Sequence, residues 1–182
     1  MGSSGQSSQS ARAREAIVVA RAILEEEGLD GLTMRALAAR LGIKAPSLYA
    51  HFRDKRDIEN ALIAEGLLEQ AEAQEAATDD EDPIFTLWMG YRRWCVANPA
   101  LHRLIASRDL DRDDDSVAAA ELPGIENVRR TTGGDRTAGI AFWAFAFGMV
   151  ELEISNRFPP GYDLDEVWRR GLAALSRTLP DR

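Results

Sequence analysis

The chain has 182 residues, 45% hydrophobic and 29% charged, with a formal net charge of −8. Such a composition excludes collagen-like, low-complexity and wholly disordered chains, and the acidic balance argues against a protein that coats nucleic acid indiscriminately. One cysteine, Cys95, leaves no intramolecular disulfide and no cysteine-based zinc cage, and suits a reducing cytoplasm.

The first ten residues, MGSSGQSSQS, are polar without an apolar h-region, so residues 1–10 are read as a disordered leader rather than a signal peptide. No alternating β-branched run with hairpin turns occurs, and helical periods with helix punctuation fill the rest. Ala13, Ala16, Ile17, Ala20, Ile23 and Leu24 form an apolar stripe closed by Gly28. Thr33 is placed to cap a short helix from Met34 to Arg40, stopped by Gly42. A third helix is expected from Ala45 to Phe52, with Pro46 in its first turn. Asp54 opens a long helix carrying Ile58, Leu62, Leu67 and Leu68, which fades in the acidic stretch 78–82.

Asp82-Pro83 and Asn98-Pro99 each read as an N-cap followed by proline at the first helical position. Residues 109–115 read as a solvated loop. A helix near Ser116 to Arg130 is weakened by Pro123 and Gly124, then broken by Gly133-Gly134. A long apolar helix follows from about Asp135 to Asn156. Its uncharged stretch, Thr137–Val150, is shorter than the ~20 residues a bilayer requires, so no membrane is expected. After Pro159-Pro160-Gly161, Asp163 and Glu166 have capping-box spacing for a last helix to about Leu179. The fold expected is all-α, of about nine helices.

Charge is unevenly spread. Between Thr33 and Arg56 lie six basic residues (Arg35, Arg40, Lys44, Arg53, Lys55, Arg56) against one acid, Asp54; from Ala61 onward, 13 basic residues face 22 acidic ones. Both lysines of the chain fall in the basic window, which points to a local polyanion contact. Residues 32–55, LTMRALAARLGIKAPSLYAHFRDK, have the helix, glycine turn and short helix of a helix-turn-helix. Leu37, Ala38, Leu41, Ile43 and Leu48 are spaced to lock the two helices, which leaves the polar set Thr33, Arg35, Lys44, Ser47, Tyr49, His51 and Lys55 unexplained by packing. Each suits duplex DNA. Thr33 adds a hydroxyl to the free N–H groups of a helix start. Lys44, Ser47 and Tyr49 accompany the second helix, whose first half meets base edges. Arg35 can fork onto guanine O6 and N7, and Lys55 can neutralise a phosphate.

The stretches EEEGLDGLT, MRALAARLGI and KAPSLYAHFRDKRDIENAL, within residues 14–65, resemble the N-terminal domain of the TetR (tetracycline-repressor-like) transcriptional regulators. Leu48-Tyr49, His51-Phe52 and Lys55 carry the most specific part. The resemblance implies a DNA-facing surface of Ala45, Pro46, Ser47, Tyr49 and His51, with Tyr49 and Lys55 on phosphates. Some relatives carry a longer polar side chain where Ala45 stands; here base reading falls to Arg35, Lys44 and Ser47, or to thymine methyl contacts. The resemblance implies a helix-turn-helix DNA-binding domain over residues 11–57 and a helical effector-binding and dimerisation domain over 58–182, with the long helix after Asp54 joining them.

Beyond residue 80 the family likeness is weaker, although residues 141–175 resemble a TetR dimerisation region. A helix apolar on every side, as Ile140 to Val150 would be, must be buried all round. Trp143, Phe147, Val150 and Ile154, with Val167, Leu172 and Leu175 of the last helix, are therefore assigned to a four-helix homodimer interface. Aromatics with a few polar groups are the composition of a small-molecule site. Phe85, Trp88, Tyr91, Cys95, His102, Phe142, Phe145 and Met149 are the candidates for a small apolar effector, and a filled core at the same place is the competing expectation. No cofactor and no metal are expected: Cys95 and His102 lack a third partner at ligand spacing, and Asp109, Asp111 and Asp113 start like a calcium loop that lacks its glycine and its twelfth ligand. The expected function is a ligand-responsive regulator, most simply a repressor, that binds a pseudo-palindromic double-stranded operator as a cytoplasmic homodimer and is not an enzyme. The rival is a helical small-molecule carrier or enzyme without a DNA-binding role.

Overall fold

The computed structural model describes residues 3–179, with side chains from residue 11. Among the described residues there are nine helices and no strand: α1 (Ser3–Gly31), α2 (Met34–Arg40), α3 (Ala45–Leu48), α4 (Lys55–Ala77), α5 (Pro83–Ala97), α6 (Pro99–Ser107), α7 (Asp115–Thr131), α8 (Arg136–Ile154) and α9 (Leu164–Ser176). The all-α expectation holds. α1 takes in residues 3–10, which the sequence assigns to a leader; no proline interrupts that stretch, so the helical backbone runs back through it. Residues 1 and 2 lie outside the described residues. At the other end of α1 the backbone kinks at Gly28, φ +74°, where a side chain would be strained.

The punctuation works largely as its chemistry dictates. The Thr33 hydroxyl accepts from Ala36 N–H at 3.1 Å, Asp82 caps α5 at Phe85 N–H, and Asp135 caps α8 at Ala138 N–H. Asp163 accepts from both Asp165 and Glu166 N–H groups. One expectation is corrected. α3 covers only Ala45–Leu48 and passes into a turn over residues 49–51, with the His51 and Phe52 N–H groups donating to Leu48 O. α6 opens at Pro99, as expected, and Asn98 before it also closes α5 through backbone and side-chain bonds to Trp94 O. α7 runs unbroken through Pro123: that residue forfeits one helical bond, and buried Val117, Ala120 and Asn127 anchor the helix on either side.

Two compact units result: Met1–Gly66 with Ala100–Ala119 (unit 1), and Leu67–Pro99 with Ala120–Arg182 (unit 2). α4 and α7 contribute residues to both. The division falls inside α4, and unit 1 also takes in Ala100–Ala119, most of α6 and the start of α7, which no local sequence pattern announces. Its core unites Ile17, Ile23, Leu24, Leu37, Leu48 and Leu62 with Leu101, Leu104 and Val117. Gly66 permits this: a Cβ there would lie 2.9 Å from Ile105 Cδ1 and 3.1 Å from Leu101.

Unit 2 packs the second part of α4 with α5, α7, α8 and α9. Its core holds Leu87, Trp88, Tyr91, Phe142, Ala146, Val150, Trp168 and Leu172. By length and composition α8, at 19 residues, is long and apolar enough to cross a bilayer, a longer apolar helix than the stretch read from the sequence. It is amphipathic in packing rather than in residue type: Phe142, Ala146, Met149 and Val150 enter the core, while Ile140 and Trp143 stay out in solvent.

Candidate nucleic-acid interface

α2, the Gly42 turn and α3 place the polar residues that packing leaves over. Leu37, Ala38 and Leu48 are buried and join the two helices, and Gly42, at φ +66°, turns the chain between them. Outward lie Thr33, Arg35, Lys44, Pro46 and Ser47, with Ala45 and His51 half-buried. Tyr49 is 55% exposed, a large aromatic in solvent beside a basic turn. All nine candidate residues are in unit 1, on α2, α3 and the turns flanking them, with Lys55 opening α4.

The six cations of this window are not equivalent. Arg40 pairs with Glu26 and, at 2.8 Å, with Glu27 of α1. Arg53 forks onto Asp57 at 2.7–3.2 Å and holds that carboxyl below the usual carboxylate range. Arg56 bonds the carbonyl of Asp109. Lys55 Nζ donates to Leu29 O at 3.3 Å and pairs with Glu59 at 3.3 Å. Arg35 and Lys44 have no ion-pair partner among the described residues. The fixed cations stiffen the motif, and the two free ones are available to a polyanion.

The body candidates divide. Trp88, Tyr91, Cys95, Phe142 and Met149 are buried in unit 2, Phe85 and Phe145 are half-buried there, and buried His102 belongs to unit 1. Trp88 stacks on Phe142, with centroids 6.4 Å apart and planes at 13°, and meets Tyr91 edge-on at 5.6 Å. Burial pushes the Cys95 thiol up to about 12, and Tyr91 is likewise pushed up by burial. Trp88 thus packs against both Tyr91 and Phe142. Of the eight, only Phe85 lines one of the two described cavities, a cleft of about 230 Å³ with Asp82, Ile84, Arg169, Leu172, Ala173 and Ser176. A second, of about 290 Å³, lies at the α8–α9 turn.

Among the seven interface candidates, Val150 and Leu172 are buried within unit 2 and serve its core. Trp143 is 51% exposed, and Phe147, Ile154, Val167 and Leu175 are half-buried. Sequence reading missed Ile140, 64% exposed on the same side of α8 as Trp143, although its helical spacing to Trp143, Ala144 and Phe147 was legible. It also missed the buried acid Glu59, whose partners come from distant positions in the chain.

α2, the Gly42 turn and α3 thus have the build of a helix-turn-helix that presents unpaired cations and an exposed tyrosine, the surface of a DNA-binding domain. Residues 16–62 match the family model of bacterial regulatory proteins of the tetR family, and residues 84–175 match the tetracyclin repressor-like C-terminal domain. The chain belongs to the tetR family. The class A tetracycline repressor from transposon 1721 of Escherichia coli is 39% identical over 104 residues, 56% of this chain and 42% of that protein. An uncharacterised HTH-type transcriptional regulator of Mycobacterium tuberculosis is 28% identical, with 79% of this chain and 71% of that one covered. The match thus spans less than half the length of the first of these relatives. The same fold occurs in a protein of unknown function from Rhodococcus sp. RHA1 (TM-score 0.78, 22% identity, 93% and 95% of the two chains). It recurs in a variant TetR from Acinetobacter baumannii AYE in complex with minocycline (TM-score 0.64, 23% identity, 91% and 97%).

Proposed function

We propose that the protein is a cytoplasmic, ligand-responsive repressor that grips a pseudo-palindromic operator as a homodimer. The observation that carries this reading is the contrast within the basic window: Arg35 and Lys44 are free beside exposed Ser47 and Tyr49, while Arg40, Arg53 and Arg56 are engaged internally. In this reading α3 and the turn before it enter the major groove, Arg35, Lys44 and Ser47 reach base edges, Ala45 and Pro46 offer apolar contact to thymine methyls, and Thr33, Tyr49, His51 and Lys55 hold the backbone. A two-fold dimer sets two such motifs on half-sites ~34 Å apart or a multiple of it.

The dimer reading is supported by the apolar outer side of α8, where Ile140 and Trp143 are exposed. The effector is a small apolar molecule, and the support for its place is the cleft beside Phe85; access to Trp88 and Phe142 would require their stack to open. The effector releases the operator only by binding the released form more tightly than the gripping one. The test is selection from a randomised duplex pool, followed by footprinting at stated salt. Two protected half-sites related by dyad symmetry are expected. A monomer in sedimentation, or no enriched duplex at low salt, would overturn the reading.

A further inference from the structure

Glu59 is a buried carboxylate on α4, 4% exposed, and three cations surround it. Lys55 Nζ lies 3.3 Å from Oε1 and Arg108 Nη2 lies 2.9 Å from the same oxygen, with Arg56 Nη1 3.9 Å from Oε2. Lys55 and Arg56 precede Glu59 on α4, whereas Arg108 lies just beyond α6. The segment after Arg108 is fastened to α4 at two further points. Arg56 bonds Asp109 O, and Asn60 Nδ2 donates to Asp111 at 3.0 Å and to Asp114 at 3.3 Å. Asp114 also caps α7 through Ser116 and Val117 N–H groups. All these residues belong to unit 1.

A buried carboxylate stripped of a partner is costly, so its remaining cations are held more tightly. Lys55 is a third exposed along its side chain and is the one cation of the three that opens α4 beside the helix-turn-helix. With Arg108 in place, Glu59 stays compensated when Lys55 swings away. With Arg108 withdrawn, Glu59 keeps Lys55.

We propose that Glu59 is a positioning residue for operator binding: Arg108 competes with Lys55 for its carboxylate and thereby frees Lys55 for a DNA phosphate. The segment from Arg108 to Asp114 then controls the grip on DNA through charge, without touching the duplex. Displacing that segment retains Lys55 on Glu59 and weakens the operator complex, and by linkage the operator holds the segment in place. The inference rests on the operator reading above.

The test uses the full chain and a duplex enriched by the wild type from a randomised pool. Arg108→Gln should weaken binding about tenfold or more and lower the salt slope by about two for a dimer, one phosphate contact per protomer. Arg108→Lys, which restores the charge, should rescue both. The double variant Glu59→Gln with Arg108→Gln should bind more tightly than Arg108→Gln alone, because a neutral amide in place of the carboxylate no longer retains Lys55. A merely structural role for the pair predicts the opposite order, and thermal melting of each variant by circular dichroism separates misfolding from lost grip. A double variant no tighter than Arg108→Gln, or an unchanged salt slope, overturns this inference alone. If the wild type enriches no duplex, the operator reading falls and takes this inference with it.

Discussion

Arg92 of α5 holds Glu153 of α8 through two parallel hydrogen bonds, Nε to Oε2 at 2.8 Å and Nη2 to Oε1 at 2.9 Å. Its third nitrogen bonds Asp165 of α9, and the guanidinium lies 5.7 Å from the centroid of the Trp168 ring. One side chain thus ties three helices of unit 2. Both partners of the bidentate pair are more than four-fifths covered, so it falls between a surface pair and a fully buried one. Arg92→Ala should cost about 2 kcal/mol. Arg92→Met combined with Glu153→Leu should cost less than Arg92→Ala alone, because no charge is left stranded. Urea denaturation of the three proteins checks the order.

Gly90 marks a close approach of backbone to backbone in unit 2. A Cβ there would meet the backbone carbonyl of Ala73 and, at 2.8 Å, the Cβ of Ala77. Alanine raises helix propensity by up to about 1 kcal/mol over glycine, but here backbone must move, and overpacking costs about 1–3 kcal/mol. Gly90→Ala should therefore lower the Tm. Gly124→Ala on α7, where the nearest atom would be Gln74 Oε1 at 3.9 Å, should raise it. Calorimetry on the pair tests whether close packing or propensity decides at each site.

Legibility from the sequence followed the range of the interaction. The caps Thr33, Asp82, Asp135 and Asp163 were readable because each acts on an N–H two or three residues away. The motif from Leu32 to Lys55 was readable because its apolar spacing and its leftover cations lie in one short window. The engagement of Arg40 by Glu26 and Glu27, and of Glu59 by Arg108, was not, since those partners are brought together only by the fold. For the same reason, Trp88 and Phe142 could be recognised as aromatic but not assigned to a cavity or a core; in the structure both are buried and stacked on each other. Val150 and Leu172 were apolar at helical spacing, and spacing alone does not say whether a side faces its own unit or a partner.

Cys95 gives a pH dependence with a definite sign. Burial keeps its thiol protonated up to about 12 in the folded chain, whereas in the unfolded chain it ionises near the ordinary thiol value, about 8.5. The folded state therefore holds the proton that the unfolded state has lost. Stability from this group is intact below about pH 8.5 and declines between there and about pH 12, by up to about 1.4 kcal/mol per pH unit. Cys95→Ala should flatten that alkaline decline. The native thiol should also resist iodoacetamide at pH 8 and react promptly in guanidinium chloride, as mass spectrometry would show.

The cations of the helix-turn-helix should separate by their internal engagement. Arg35→Ala should cost about 1–3 kcal/mol on the selected operator and relax discrimination at one base position. Lys44→Ala should weaken binding and, if its partner is a phosphate, reduce the salt slope by about 0.9 per protomer. Arg40→Ala should leave the salt slope near the wild-type value, because Arg40 is engaged by Glu26 and Glu27. Fluorescence anisotropy over a salt series measures all three. Equal effects from Arg35 and Arg40 would show that internal pairing does not select the DNA-facing cations.

The outer side of α8 carries the last prediction. Trp143 and Ala144 lie three and four residues after Ile140 and four and three before Phe147, and the Trp143 and Phe147 rings lie 5.7 Å apart. Ile140 and Trp143 are each more than half exposed, whereas Phe142 and Ala146, on the core-facing side of the same helix, are fully buried. Large apolar groups on one side of a well-packed helix are the expected surface of a two-fold partner contact. Trp143→Asp puts a charge on that side without touching the core, so it should yield a folded monomer with a helical spectrum like the wild type. Phe142→Ala instead removes a packed ring and should lower protomer stability by about 3–5 kcal/mol, with association affected only through unfolding. Sedimentation velocity with parallel thermal melts separates the two. A Trp143→Asp protein that still sediments as a dimer would place the contact elsewhere, while a folded monomer should also lose most of its operator affinity, since each half-site would then be held alone.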